Sequence, residues 1–199
     1  SKSTTTAKLA ASHPDRFFNA GIAEQNMTCV AAGFALGGKV AFTGSFAVFG
    51  TGRAWEQVRN TVCYNNLNVK LAPTHSGVTV GHDGGSHQAL EDIALMRVLP
   101  NMHVVVPADY HSAKAALRLA AQTEGPFYIR LGRAGVDDVY PEDITLELGK
   151  ANVLREGSDV TVVACGIEVA EALKAAAMLA EQGVSAEVID IVSVKPLDV

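Results

Sequence analysis

The sequence predicts an α/β protein: an open, mainly parallel sheet with helices on both faces, followed by part of a second α/β domain. Three observations predict it. Short apolar runs alternate with stretches of helical periodicity along most of the chain, the rhythm of repeated β-α-β units. Two of those runs, "VKLA" and "HVVVP", are apolar at successive positions, as strands buried on both faces are. The rhythm pauses in a polar segment broken by Pro141 and then resumes.

Taken in order, "SKSTTTAKLA" opens a helix with capping residues and no strand ahead of it. "RFFNAG" reads as a strand, residues 22–37 as a helix, "KVAFTGS" as a strand and 50–66 as a helix. "NVKLAPTH", a helix at 88–98, "MHVVVPA", a helix at 109–123 and "PFYIRLGR" continue the alternation. This gives a first domain over 1–133, a linker over 134–148 and a second domain from 149, with a strand at 160–165, an Ala-rich helix at 167–182 and a strand at 186–192. Both ends read as cuts, so the chain is expected to be a fragment or one subunit of a larger assembly whose first strand is missing.

Composition bounds the function. Of 199 residues, 48% are hydrophobic and 19% charged, enough for a substantial core. A net charge of −5 without a basic stripe gives no reason to expect nucleic acid. No apolar run reaches the length of a membrane span and nothing resembles a signal peptide. Cys29, Cys63 and Cys165 lie in apolar segments without metal-ligand or disulfide spacing, so a reducing cytoplasm is the expected compartment.

In sheets of this kind function gathers in loops beyond the carboxyl ends of the strands. Glu24, in "GIAEQNM", begins a helix between two apolar runs. An acid there complements the helix dipole; held in apolar surroundings, it must also find a partner or take up a proton as burial raises its pKa. The loop "THSGVTVGHDGGSHQALED" places His75, His82, Asp83 and His87 among four glycines. With no helical i, i+4 pair and no thiolate nearby, metal binding is not expected. Several imidazoles suit a hydroxylated, phosphorylated substrate instead. Phe46 and Phe49 are spaced to share a face, as ordinary core or as a wall for a flat heterocycle. Arg133 can pair with a phosphate or with a surface acid, and Arg130 should point the other way along its strand.

"RFFNAGIAEQNM", "FTGSFAVFGTGRAWEQVRN", "THSGVTVGHDGGSHQALEDIALMRVLPNM", "PADYHSAKAALRLAAQTEGPFYIRLGR" and "SVKPLD" together resemble transketolase, its pyrimidine-binding domain followed by the start of its C-terminal domain. The resemblance runs in order over nearly the whole chain and implies a thiamine diphosphate-binding fold. It implies that Glu24 is catalytic, bonding the ring nitrogen of the cofactor's aminopyrimidine so that the ring can take a proton from the thiazolium C2, with the raised pKa of a buried acid suited to that role. Phe46 and Phe49 correspond to the pyrimidine-stacking aromatics; the family often has a further aromatic where this chain has Gly52. His75 and Arg133 match residues that bind the acceptor's phosphate, Asp83 one that bonds the sugar C2 hydroxyl, and His87 a catalytic residue near the donor's C1 hydroxyl and carbonyl. Ser3 corresponds to a phosphate-contacting serine. Where relatives show "GEDG", this chain has His82, for which a loop-surface position is expected.

The implied reaction transfers a two-carbon ketol unit between sugar phosphates. The family's diphosphate and magnesium are held elsewhere, through a Gly-Asp-Gly motif and a downstream asparagine that no segment here supplies. The implied partner is therefore an N-terminal diphosphate-binding subunit or domain, with a homodimer also expected and the chain inactive alone. Within the superfamily, 1-deoxyxylulose-5-phosphate synthase and 2-oxoacid dehydrogenase β subunits share the Glu24 region; the synthase usually lacks the His75 histidine and the β subunits the "HDGGSHQ" pattern. A non-catalytic module of the same fold is the alternative from a different class.

Overall fold

The computed structural model describes residues 4 and 6–199; Ser3 lies outside the described residues. Five short strands form the main sheet: β1 (Ala41–Thr43), β2 (Val69–Leu71), β3 (His103–Val105), β4 (Phe127–Ile129) and β8 (Ser193–Lys195), in the order β1-β2-β4-β3-β8. The first four run parallel and β8 pairs antiparallel with β3. β2 and β4 are buried at every position. Val104 and Tyr128 join Ala31, Ala32, Val58, Val62 and Met96 in one core cluster, whereas Val105, Phe127 and Ile129 join Ala116 and Ala120 in another. Neighbouring residues of a strand thus feed opposite cores, and helices cover both faces.

Helix α1 (Ala7–Ser12) is followed by α2 (Glu24–Leu36), α3 (Asp92–Arg97) and α4 (Tyr110–Gln122). A capping box fixes the start of α4: the Asp109 carboxylate accepts from the Ser112 N–H at 2.8 Å, and the Asp109 N–H donates to the Ser112 hydroxyl at 3.0 Å. α2 and α4 match their expected spans within two residues. Three other expectations change. "RFFNAG" makes no ladder, because β1 pairs only with β2 among the described residues. Instead a 3-10 turn, Pro14–Arg16, leads into a bend in which Asn19 Oδ1 accepts from the Gly21 N–H at 3.0 Å, and Gly21 takes φ +72°. The helix expected at 50–66 carries two π-helical segments, Val48–Arg53 and Gln57–Cys63; the Ala54 N–H reaches back five residues to the Phe49 carbonyl at 3.2 Å. The helix expected from 88 starts only at Asp92, because Ala89 is drawn into bridges with Ser76 and Gly77 that close the histidine loop on itself.

Beyond the linker, β5 (Asn152–Arg155), β6 (Val160–Ala164), α5 (Glu168–Glu181) and β7 (Ala186–Asp190) form a three-stranded sheet in the order β5-β7-β6, β6 parallel to β7 and β5 antiparallel to it. The sequence did not announce β5 or β8; both are short, and β8 returns to extend the first sheet. Inside the linker Tyr140 is buried. Its N–H and that of Val139 donate to Asp109 Oδ2, each at 2.8 Å, and its hydroxyl donates to Asp190 Oδ2 at 2.7 Å.

Candidate active site

The first turn of α2, the loop after β1 and the loops after β2 and β4 meet at one end of the sheet, the carboxyl end that an open parallel sheet uses for ligands. Glu24 is the first residue of α2 and only 6% exposed. Its Oε1 accepts from the Ser45 hydroxyl and its Oε2 from Arg53 Nη1, both at 3.0 Å. Burial is the largest influence on this carboxyl and pushes its pKa up, yet the backbone N–H, Ser45 and Arg53 together outweigh it and the net shift is downward. The expectation of a raised pKa is corrected: in the chain by itself Glu24 is an ionised, fully partnered carboxylate.

Phe46 and Phe49 stand nearly parallel, 7° apart with centroids separated by 6.2 Å. His75 stacks on Phe46 at 4.0 Å, and His87 meets Phe46 and Phe49 edge-on at 5.8 and 5.3 Å. His75 takes φ +67°, an uncommon backbone for a non-glycine residue, and its Nδ1 is held 2.8 Å from the Thr74 hydroxyl. Burial, then the nearby Arg133 guanidinium, lowers the His75 pKa, so its imidazole is neutral near pH 7. His87 Nδ1 lies 2.9 Å from the Ser86 hydroxyl.

A cavity of about 460 Å³ opens here, lined by Phe46, Thr74, His75, His82, Asp83 and Arg133 among others. Arg133 Nη1 donates to Asp83 Oδ2 at 3.1 Å and also to the Val80 carbonyl. Gly81, at φ +82°, is approached so closely by this guanidinium that a Cβ would lie 3.4 Å from Nη1. His82 is exposed, as expected, but it also lines the cavity. Arg130 serves elsewhere: its Nε donates to the buried Asp92 Oδ2 at 2.7 Å, with the Tyr128 hydroxyl on the same oxygen at 2.5 Å.

Family models match the transketolase pyrimidine-binding domain over residues 1–137 and the transketolase C-terminal domain over 149–199. The chain belongs to the transketolase family. It is 50% identical, over all of its length, to a Methanocaldococcus jannaschii protein described as a transketolase C-terminal section, covering 63% of that protein. It is 40% identical over 99% of its length to an apulose-4-phosphate transketolase subunit of Phocaeicola vulgatus, covering 64% of it. Among solved structures, a split-gene transketolase described as an inactive β4 tetramer superposes with a TM-score of 0.91 at 56% identity, covering all of this chain and 64% of that one. The chain thus spans less than two thirds of the length of these transketolase relatives.

Of the residues singled out in sequence, Glu24, Phe46, Phe49, His75, Asp83, His87 and Arg133 converge on this end of the transketolase fold. Sequence reasoning missed Ser45, Thr74 and Arg53. Ser45 and Thr74 each directly precede a residue that was singled out, and Arg53 follows Phe49 by four positions, the spacing of a helical side-chain pair. Its guanidinium carbon lies 4.4 Å from the Phe49 ring centroid.

The residues present fit the pyrimidine half of thiamine diphosphate. A buried carboxylate can accept from a ring nitrogen that carries a proton, and two parallel aromatic faces can hold a flat heterocycle. Among the described residues no three His, Cys, Asp or Glu side chains are grouped as metal ligands would be.

Proposed function

We propose that this chain supplies the pyrimidine half of a thiamine diphosphate site in a two-part transketolase, and that the complete enzyme transfers a two-carbon ketol unit between sugar phosphates. The carrying observation is the buried Glu24 carboxylate, bonded to Ser45 and to the Arg53 guanidinium that lies on Phe49, beside the parallel Phe46 and Phe49 rings, of which Phe46 lines a cavity with His75, Asp83 and Arg133. When bound, the cofactor supplies the stabilised carbanion that the chain's own side chains cannot. Glu24 holds the ring nitrogen and exchanges a proton with it. Phe46 and Phe49 flank the ring, and their apolar faces keep water from it.

Arg133 and the neutral His75 bind a substrate phosphate; the guanidinium fork then turns from Asp83 toward the phosphate oxygens. Asp83, released from that pair, bonds a sugar hydroxyl, and His87 sits where it can exchange protons with the reacting hydroxyl and carbonyl. Binding energy from the remote phosphate orients the reacting carbonyl.

Magnesium and the diphosphate belong to a partner, an N-terminal transketolase subunit or domain. Phe18, Ile22, Val30, Phe34 and Leu36, exposed on and around α2, support a docking face beside Glu24, with self-association of this chain as a second use of it. Among the described residues no helix is long and apolar enough to cross a membrane; a cytoplasmic setting is part of the proposal. Ketol transfer from xylulose 5-phosphate to ribose 5-phosphate, assayed with thiamine diphosphate, magnesium and a candidate partner, tests the reading, and activity indifferent to Glu24→Gln contradicts it.

A further inference from the structure

Arg53 has no part in the reading above, yet it takes the place that reading gives to the cofactor's ring. A guanidinium is planar, carries N–H donors at its edge and presents a π-face on each side. Arg53 uses both features at once: Nη1 donates to Glu24 Oε2 at 3.0 Å, and Cζ lies 4.4 Å from the Phe49 centroid. An aminopyrimidine protonated at its ring nitrogen, held by Glu24 and flanked by Phe49, offers the same edge donor and the same face. The Glu24 side chain is 7% exposed and its other oxygen is bonded to Ser45, so a ring that approaches along the Phe49 face meets Oε2 where Arg53 now stands. The Arg53 side chain is 48% exposed. The guanidinium therefore has open space into which to swing.

We propose that Arg53 is a resident stand-in for the aminopyrimidine, a latch that holds the Glu24 and Phe49 half-site closed until a ring displaces it. This rests on the functional reading of Glu24. The latch has two consequences. It spares the lone chain a buried carboxylate with one bare oxygen, which would be costly. It also keeps Glu24 ionised and engaged, so the carboxyl is free to share a proton with a ring only after Arg53 has left. The half-exposed Arg53 cation regains water when it leaves, and the incoming ring takes its place on Glu24, so displacement asks little of the cofactor once the partner subunit adds its own contacts.

The test measures binding of 4-amino-5-hydroxymethyl-2-methylpyrimidine, the cofactor's ring without its diphosphate, to the full chain by calorimetry. Wild type is compared with Arg53→Gln, Arg53→Lys and Glu24→Gln, each checked for folding by circular dichroism. Removing the latch is expected to tighten ring binding up to about five-fold in Arg53→Gln, the scale of a half-exposed ion pair, with Arg53→Lys between it and wild type. Millimolar guanidinium chloride should weaken ring binding to Arg53→Gln more than equal sodium chloride does, because the free ion refills the vacated place. Equal or weaker binding in Arg53→Gln, with binding still lost in Glu24→Gln, overturns the latch and leaves the pyrimidine reading standing. Ring binding that ignores Glu24→Gln overturns both.

Discussion

Glu24 and Asp190 are two buried carboxylates with opposite fates. Burial raises both pKa values, and it is the largest influence on each. At Glu24, 6% exposed, the backbone, Ser45 and Arg53 reverse the effect. Asp190 is fully buried, and burial, with the negative Asp109 nearby, pushes its pKa up to about 6 against the lowering effect of the Tyr140 hydroxyl on Oδ2; Oδ1 has no hydrogen-bond partner among the described residues. Depth alone does not decide what a buried acid is. The donors around it do, and a carboxylate kept charged beside a pair of aromatic rings is equipped to receive a ligand, whereas one sealed between Tyr140 and the second sheet is equipped to respond to pH.

Four substitutions would break or sharpen that contrast. The largest effect belongs to Glu24→Gln, which keeps the shape and removes the charge: turnover of the reconstituted enzyme is expected to fall on the order of 10²–10⁴-fold, while the melting temperature of the chain barely moves. A loss of folding instead would make Glu24 a structural acid. Asp92→Ala comes next, because it strands Arg130 and the Tyr128 hydroxyl in the core; urea denaturation should show a loss of about 3–5 kcal/mol.

Asp190→Asn is third. A carboxyl whose folded pKa of about 6 lies above its ordinary 3.8 contributes stability that is fully present below the lower value and lost as pH rises through about 6. Wild type should therefore lose unfolding free energy between pH 4 and pH 7, by about 3 kcal/mol at most on this group's account. Asp190→Asn keeps an acceptor for Tyr140 and should flatten that slope, so the variant is the more stable protein at pH 7.5. Parallel pH profiles for the two would remove Asp190 from the comparison. The smallest effect belongs to Arg53→Gln. With its cation half-exposed, the ion pair contributes less than about 1 kcal/mol to stability, but the Glu24 carboxyl, followed by NMR titration, should move upward.

The contrast also separates what the sequence made legible from what it hid. Alternating apolar runs and helical periods placed the parallel strands, α2 and α4, because those elements are fixed by local pattern and, for α4, by a capping box. "RFFNAG" has the composition of a strand but no neighbour to pair with among the described residues, and the start of α3 was lost to bridges from Ala89 back to Ser76 and Gly77 at the other end of the histidine loop. β8 is three residues long, and its partner β3 lies some ninety residues away in sequence; no local signal carries such a pairing. Within the site, motif residues were legible because their chemistry is unusual for their position. Ser45, Thr74 and Arg53 were not, since each acts only through the residue it holds, and the direction of the Glu24 shift followed from those three-dimensional partners.

Mixing tests the central claim, half of a cofactor site completed by a partner, most directly. Ketol transfer would be measured for this chain alone, for an N-terminal diphosphate-binding transketolase subunit alone, and for the two together, with wild-type and Glu24→Gln chains. The account predicts turnover only in the wild-type mixture. Turnover by this chain alone, or a Glu24→Gln mixture as active as wild type, would contradict it.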